Sequence, residues 1–215
     1  MDAQEKLKKL TSKLKKLYEK NSKMLLFHGW HHIQFVRKKA LEFANSINAD
    51  LFLVESAALT HDLNYIVGPN SEPQEGQALR REYLTDAGYS PSDMDTIDKI
   101  VLESHTRTRG EVISEEGKAL SDADTLFKSL PVTPILFTSK FIVQNKVDIY
   151  KLAQKVTSEQ NPLIEKGIYF YTSLAKEKYL KWAKGNLQLW NNVQEALQDD
   201  DVKEMLSNAA KSGVI

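Results

Sequence analysis

The residues with the clearest chemical potential in this sequence are a histidine and an aspartate that follow an apolar segment. Residues 57–60, Ala-Ala-Leu-Thr, lead directly into His61-Asp62. A buried helix rarely ends in an imidazole beside a carboxylate, because both groups need partners away from water. Together they offer one nitrogen and one oxygen ligand, which suits Mn²⁺, Fe²⁺, Co²⁺ or Zn²⁺. Since a His-Asp dipeptide is common by chance, a metal site requires further ligands elsewhere in the chain.

A second group of candidate ligands is the pentapeptide 28–32, His-Gly-Trp-His-His, which holds three of the five histidines. His32 falls in the first turn of a predicted helix, whose apolar stripe contains Ile33, Val36, Ala40, Phe43, Ala44 and Ile47. A metal or phosphate site explains this concentration of histidines better than packing does. The alternative is that two of the three are surface or capping residues.

Asp124 is the next candidate ligand. On a helix through residues 120–130, one stripe contains Leu120, Ala123, Asp124, Phe127 and Leu130. A carboxylate on an apolar stripe needs a partner, and a metal shared with the preceding histidines would be one. Asp122, on another face of the same helix, is expected to cap the helix or face water.

A further histidine and two arginines lie together at 105–109. His105 follows Ile97 and Val101 at four-residue spacing, so it shares a predicted apolar stripe. A lone histidine on such a stripe is more often a hydrogen-bonded core residue than a ligand. Arg107 and Arg109 fall in a predicted loop, where guanidinium groups can hold a phosphate bidentately or remain solvated.

The elements that must position these residues are predicted to be helices throughout, because helical periodicity continues along the chain without sustained β-alternation. The first helix covers residues 4–22, where Leu7, Leu10, Leu14 and Leu17 form a two-heptad seam. We expect this seam to pack on its own domain or on a symmetry mate, and a membrane-surface helix is the alternative. Other predicted features are a helix over 50–63 capped by Asp50, a helix over 74–87 closed by Gly88, a helix start at Ser90, and helices from Thr133 onward with breaks at 161–162 and 185–186.

Composition narrows the class of protein. The 215 residues suffice for one domain, and 29 basic residues balance 29 acidic ones, so no nucleic-acid partner is expected. The absence of cysteine excludes thiolate metal sites and a cysteine nucleophile. No apolar run approaches ~18 residues, which predicts no membrane span. The lysine-rich beginning lacks the apolar core of a signal peptide, so a cytoplasmic protein is expected.

The order His32, His61-Asp62, Asp124 resembles the signature of the HD-domain superfamily of metal-dependent phosphohydrolases. The nearest resemblance is to small single-domain members with an Ala-Ala-Leu-x-His-Asp helix and an Asp-Ala-Asp-x-Leu segment, and it covers about residues 25–130. It implies one all-α domain over 1–215, an HD helical bundle with the N-terminal helix 4–22 and a C-terminal helical extension 131–215 added to its core.

The resemblance also implies roles for individual residues. It gives His32, His61, Asp62 and Asp124 as metal ligands and supporting roles to His28 and His105. From the chemistry of the side chains, we add Asp62 and His105 as catalytic residues and His28, Arg107 and Arg109 as substrate-binding residues. The implied cofactor is one divalent ion (Mn, Fe, Co, Ni, Zn or Mg), with a second ion as an option at His28 and His105. Such an ion lowers the pKa of a bound water, which would attack the phosphate ester of a nucleotide or similar small metabolite.

Departures from the family pattern keep a second hypothesis open. Tyr65 stands where some nucleotidases of the superfamily carry a catalytic Glu, and Glu72 or Glu75 would have to replace it. The alternative to a hydrolase is a catalytically reduced HD fold that binds a metal or ligand, or acts as an interaction module. A purely structural role for the histidines and aspartates is a third reading. The leucine seam and the aromatic tail are compatible with a homodimer.

Overall fold

The chain folds as the all-α protein that its periodicity predicts. The computed structural model describes residues 1–214, and every regular element in that range is helical. The helices are α1 (Ala3–Lys20), α2 (Trp30–Ser46), α3 (Leu51–Thr60), α4 (Asn64–Val67), α5 (Gln77–Ala87), α6 (Pro91–Glu103), α7 (Glu115–Ser129), α8 (Thr133–Asn145), α9 (Ile149–Glu165), α10 (Ser173–Ala196) and α11 (Asp200–Lys211). Short 3₁₀ turns cover Pro73–Gly76 and Thr106–Thr108.

Local capping chemistry explains where several helices begin and end. The Asp50 carboxylate accepts a 3.0 Å hydrogen bond from the amide of Leu53 at the start of α3. The Ser90 hydroxyl accepts a 3.1 Å hydrogen bond from the amide of Asp93. The Asp93 carboxylate accepts a 3.2 Å bond from the amide of Ser90, which completes a capping box. α5 ends at Gly88, whose φ of 86° is the left-handed conformation that glycine adopts without steric cost. All three boundaries agree with the sequence prediction.

The core is built around α2, α3 and α7, which pack against one another and against α6 and α10. Their facing side chains are fully buried and apolar, among them Ile33, Val36, Ala57, Ala58, Leu59, Ala119, Leu120, Ala123 and Leu126. The alanines on α3 and α7 have no bulk beyond Cβ, so the helices approach closely. This packing brings the start of α2, the end of α3 and the middle of α7 to one point.

The N-terminal helix packs on its own chain, as expected for the leucine seam. Leu10 and Leu14 are fully buried, and α1 contacts α3 and α5. The helix runs over Ala3–Lys20 rather than 4–22, because Asp2 forms a capping box with Glu5 and a turn begins at Asn21. Leu10 and Leu14 of the seam are therefore covered within the chain, and Leu7 and Leu17 pack against the same core while partly buried.

The C-terminal helices form a second, smaller core between α9 and α10, with Leu152, Ala153, Trp190 and Leu197 buried together. Both breaks predicted here are wrong: Pro162 lies in the last turn of α9, and α10 continues through Gly185. One glycine costs a helix only about 1 kcal/mol, less than the burial of flanking apolar side chains gains. Gly185 has open space around it, whereas Asn186 is buried and donates a 2.8 Å hydrogen bond to the carbonyl of Lys128.

Within residues 1–214, no single helix has both the length and the apolar character needed to cross a membrane. Only α7 and α8 taken together reach that length and composition, and their axes are bent by 98°.

Candidate metal centre

Side chains from three helices meet at the centre of the bundle. His32 lies in the first turn of α2, His61 and Asp62 follow the last residue of α3, and Asp124 lies in the middle of α7. Both histidines and Asp62 are buried, and the side chain of Asp124 is 15% exposed. The structure thus brings together the four residues that the sequence singles out as ligands.

Three potential ligand atoms converge within the spacing that a shared ion imposes. Nε2 of His32 lies 3.2 Å from Nε2 of His61 and 3.0 Å from Oδ2 of Asp62. The third distance, from Nε2 of His61 to Oδ2 of Asp62, is 3.3 Å. Neighbouring ligands about 2.1 Å from one octahedral ion lie roughly 3 Å apart. The arrangement therefore matches one face of a divalent-metal site.

Hydrogen bonding presents lone pairs to this cluster. Nδ1 of His61 lies 2.8 Å from the carbonyl oxygen of Ala58, so this nitrogen carries the proton and Nε2 keeps its lone pair. Oδ2 of Asp62 is buried and accepts no hydrogen bond within the described residues, although it touches both imidazoles. An unsatisfied buried carboxylate oxygen beside an imidazole lone pair is the chemistry that a cation would complete.

The electrostatics also favour a cation. Burial alone would raise the pKa of Asp62, but the nearby His61, His28 and His32 lower it below its ordinary value. Burial likewise opposes ionisation of Asp124, while Lys128 and the histidines lower the pKa of its carboxyl group. Both carboxyl groups are therefore ionised at neutral pH, and a divalent ion would balance their two charges.

Asp124 lies at the edge of the cluster rather than among its three mutually close atoms. Its Oδ1 is 3.5 Å from Nε2 of His32, and its Oδ2 is 2.6 Å from Nζ of Lys128. The two oxygens of one carboxylate thus face two different partners. Sequence analysis missed Lys128, although its spacing of four residues from Asp124 on a helix is a signal for such a pair.

Two connected cavities open beside the cluster. A small one of about 60 Å³ lies directly over His61, Asp62 and Asp124. A larger one of about 480 Å³ extends away from it along α8, α9 and α10. The residues that line both cavities, and so form their boundary, are His28, Tyr65, Ser71, His105, Thr106 and Lys128. The larger cavity has the volume of a small-molecule site.

His28 occupies this boundary as a neutral donor. Gln144 Oε1 accepts the amide of Phe27 at 2.7 Å, so the Gln144 amide nitrogen donates to Nδ1 of His28 at 2.6 Å. The proton of neutral His28 is then on Nε2. Burial lowers the pKa of His28 to about 3, and its ring stacks on Tyr65 with centroids 3.5 Å apart. The sequence predicts substrate contact at His28, and its position in the cavity wall is compatible with that role.

His105 also lies at the boundary, but not on the predicted helical stripe. α6 ends at Glu103, and His105 begins the 3₁₀ turn Thr106–Thr108, where its Nδ1 accepts the amide of Arg107 at 3.2 Å. Burial, and then Lys128 and Arg107, lower the pKa of His105. The neutral ring therefore carries its proton on Nε2 and can donate a hydrogen bond into the cavity.

Arg107 and Arg109 differ in exposure and in their position relative to the cavities. Arg107 lines the larger cavity with a side chain that is 68% exposed and paired with Glu72. The prediction that Arg109 binds substrate is wrong, because Arg109 is buried away from both cavities and forms a 2.8 Å ion pair with Asp122.

Asp122 is a related correction, since it neither caps a helix nor faces water. It is fully buried and also accepts the amides of Tyr171 and Thr172 at 2.8 and 2.7 Å. A stripe argument assumes one buried face, whereas α7 is covered on most sides by α2, α3, α6 and α10.

Several solved structures of other proteins are similar to this fold. No family model matches the chain. YpgQ from Bacillus subtilis is 34% identical over 103 residues, which are 46% of this chain and about half, 50%, of the relative's length. The crystal structure of YpgQ in complex with ADP has a TM-score of 0.61 at 22% identity, covering 92% of this chain and 99% of that one.

Two further solved structures are similar. The Lin1889 protein from Listeria innocua has a TM-score of 0.59 at 21% identity, over 93% of this chain and 97% of its own. A protein from Lactobacillus plantarum reaches 0.67 at 18% identity, over 90% and 95% of the two chains. At these identities the similarity establishes a shared all-α fold.

Proposed function

We propose that this protein is a divalent-metal-dependent phosphohydrolase of the HD superfamily. Its substrate would be the phosphate ester of a nucleotide or a similar small metabolite. The observation that carries the proposal is the convergence of His32 Nε2, His61 Nε2 and Asp62 Oδ2 within 3.3 Å of one another, with Asp124 beside them. A purely structural role for these residues would not explain why Oδ2 of Asp62 lacks a hydrogen bond, or why a small cavity lies beside the cluster.

His32, His61, Asp62 and Asp124 would hold the ion. When bound, a divalent ion supplies charge neutralisation at a phosphoryl group and acidifies a water. The chain's own residues contribute orientation. Asp62 would present a carboxylate to the small cavity, and the Nε2–H of His105 would be a hydrogen-bond donor for the substrate at the boundary of the two cavities.

The larger cavity supports a substrate of nucleotide size. Its volume of about 480 Å³ lies within the range of small-molecule sites. Its far wall combines apolar side chains, Leu152, Val156 and Trp190, with polar ones, Glu159 and Gln160. The complex of YpgQ with ADP, in a protein of the same fold, supports a nucleotide as the class of ligand.

A non-hydrolytic HD protein that binds a metal or ligand is the second candidate. Two observations favour it: Tyr65 at the position of the family Glu stacks on His28, and Lys128 holds one oxygen of Asp124. Neither residue supplies a general base. Turnover distinguishes the two candidates, because only the hydrolase releases phosphate from an ester.

The deciding experiment combines metal analysis with an activity screen on the same samples. Wild type, Asp124→Ala and His31→Ala are loaded with Mn²⁺, Co²⁺ or Ni²⁺ and incubated with nucleoside mono-, di- and triphosphates. His31 is the matched control, because it neighbours His32 yet stacks on Phe137 with ring centroids 5.1 Å apart. We expect about one ion per chain and hydrolysis in wild type and in His31→Ala only.

The other outcomes separate the candidates. Bound metal without turnover of any ester would support the non-hydrolytic protein. Wild type that takes up no metal after reconstitution would contradict the hydrolase and leave only a metal-free, ligand-binding form of the second candidate.

A further inference from the structure

One cationic side chain stands where the two cavities meet. Nζ of Lys128 lies 2.6 Å from Oδ2 of Asp124, and Lys128 lines both the small cavity over the cluster and the larger one. Its side chain is 35% exposed, so the ammonium is reachable from the cavities. Its contact with the Asp124 carboxylate is an ion pair, in which the amine carries a positive charge.

The backbone of Lys128 is also fixed by a hydrogen bond from another helix. Its carbonyl accepts the 2.8 Å hydrogen bond from Asn186 of α10, in addition to its place in α7. The ammonium has three N–H donors, and Asp124 uses one of them. Two donors remain for a ligand in the cavities.

The charges around the boundary of the two cavities would leave the ammonium of Lys128 without compensation. A divalent ion at the cluster is neutralised by the carboxylates of Asp62 and Asp124, so the ammonium charge is then left uncompensated. Elsewhere in the larger cavity, Arg107 is paired with Glu72, and Lys155 lines only this cavity, as does Glu159. An anion entering the cavities is therefore attracted to the Lys128 end.

We propose that Lys128, together with the Nε2–H of His105, forms a binding site for a phosphate group at the boundary of the two cavities. The role of this phosphate site in binding substrate rests on the proposed function. The ammonium donates to the phosphate oxygens while Asp124 holds it in place, and the imidazole donates from the other side. The remainder of the ligand then lies in the larger cavity.

A more limited role for Lys128 would be to orient Asp124 alone, and binding of inorganic phosphate separates the two. Calorimetric titration of phosphate into Mn²⁺-loaded protein, with metal content measured on the same samples, compares wild type with three variants: Lys128→Met, Lys128→Arg and Lys118→Met. Lys118 is the matched control, because it lies on the same helix, pairs with Glu115, and is 29% exposed outside both cavities.

We expect Lys128→Met to weaken phosphate binding about tenfold or more while it keeps its Mn²⁺, since a charge-assisted hydrogen bond is lost. Lys128→Arg should retain most of the affinity, and Lys118→Met should bind like wild type. Unchanged phosphate affinity in Lys128→Met would overturn the proposal. So would a joint loss of metal and phosphate, because Lys128 would then act only through Asp124.

Reductive methylation of wild type tests the same site without a variant. Inorganic phosphate should slow methylation of Lys128 and leave Lys118 unaffected, as read by peptide mass spectrometry. Equal rates with and without phosphate would contradict the site.

The two proposals fail separately. Phosphate protection of Lys128 in a protein that binds no metal would retain the phosphate site and remove the hydrolase. Metal-dependent hydrolysis with wild-type phosphate affinity in Lys128→Met would retain the hydrolase and remove the site.

Discussion

Nη1 of Arg109 donates a 2.8 Å hydrogen bond to Oδ1 of Asp122, and neither side chain is exposed. Arg109 also donates to the carbonyl of Ser121 and to the hydroxyl of Thr125 at 3.0 and 2.7 Å. The pair joins the segment after His105 to the helix that carries Asp124. Its role is to fix the two walls of the site relative to each other.

Removing the guanidinium should therefore destabilise the fold. Arg109→Met leaves the Asp122 carboxylate buried without its cation, and we expect the free energy of unfolding to fall by about 3–5 kcal/mol. Urea denaturation measures this. Arg107→Met is the control, because the exposed pair with Glu72 should contribute less than about 1 kcal/mol. Equal effects of the two substitutions would contradict the assignment.

A second buried pair predicts how stability depends on pH. Asp98 is buried and accepts a 2.5 Å hydrogen bond from Arg80, as well as bonds from Gln77 and Arg81. Burial alone would raise the pKa of Asp98, but these donors lower it below its unfolded value. Its contribution is therefore present above the unfolded pKa, about 3.9, and is lost as the pH falls through the folded pKa.

We thus expect Asp98→Asn to be less stable than wild type at pH 7 and to lose less stability on acidification below about pH 5. Thermal unfolding across this pH range measures both effects. Parallel pH profiles for the two proteins would show that Asp98 does not carry the dependence.

If the cluster holds a metal as proposed, single substitutions of its residues should lose that metal. Asp62→Ala and His61→Ala each remove one of the three mutually close ligand atoms, and we expect bound metal to fall to less than about a tenth of wild type. Elemental analysis after dialysis is the measurement. Full metal occupancy in Asp62→Ala would exclude this cluster as the site.

His105 should affect turnover more than metal content. His105 lines both cavities, and its Nδ1 accepts the amide of Arg107, so Nε2 carries the proton of the neutral ring. For His105→Ala we expect a decrease of about 10- to 100-fold in kcat/KM, with metal content unchanged, because one hydrogen bond to a charged oxygen is lost. His105→Gln should restore part of the rate, since its amide also donates. Loss of metal in His105→Ala would instead make His105 a ligand.

The convergence of these four residues could be predicted from the sequence because each residue carries its own local signal; their role as metal ligands stays a prediction. His61-Asp62 ends an apolar helix, His32 begins another, and Asp124 interrupts an apolar stripe. Helix boundaries at Asp50, Gly88 and Ser90 likewise depend only on neighbouring residues, and the structure agrees with them.

The burial of Asp122, the partner of Arg109 and the shape of the cavity wall could not be predicted, because each depends on residues distant in the sequence. Asp122 is buried because Arg109 and the amides at 171–172 reach it from other segments. Arg109 lies in the turn region that suggested a phosphate contact, yet its partner is on α7. The cavity wall depends on how α9 packs on α10, which helical periodicity leaves undetermined.

The larger cavity has one consequence for how this protein could diversify. The ligand cluster is built entirely from residues before 130, whereas much of the outer cavity wall, including Leu152, Val156, Glu159 and Trp190, comes from α9 and α10. Under the proposed function, reactivity and ligand selectivity would be encoded in separate stretches of the chain. Exchanging the α9 surface between relatives of this fold would then change ligand preference without changing the four residues of the cluster.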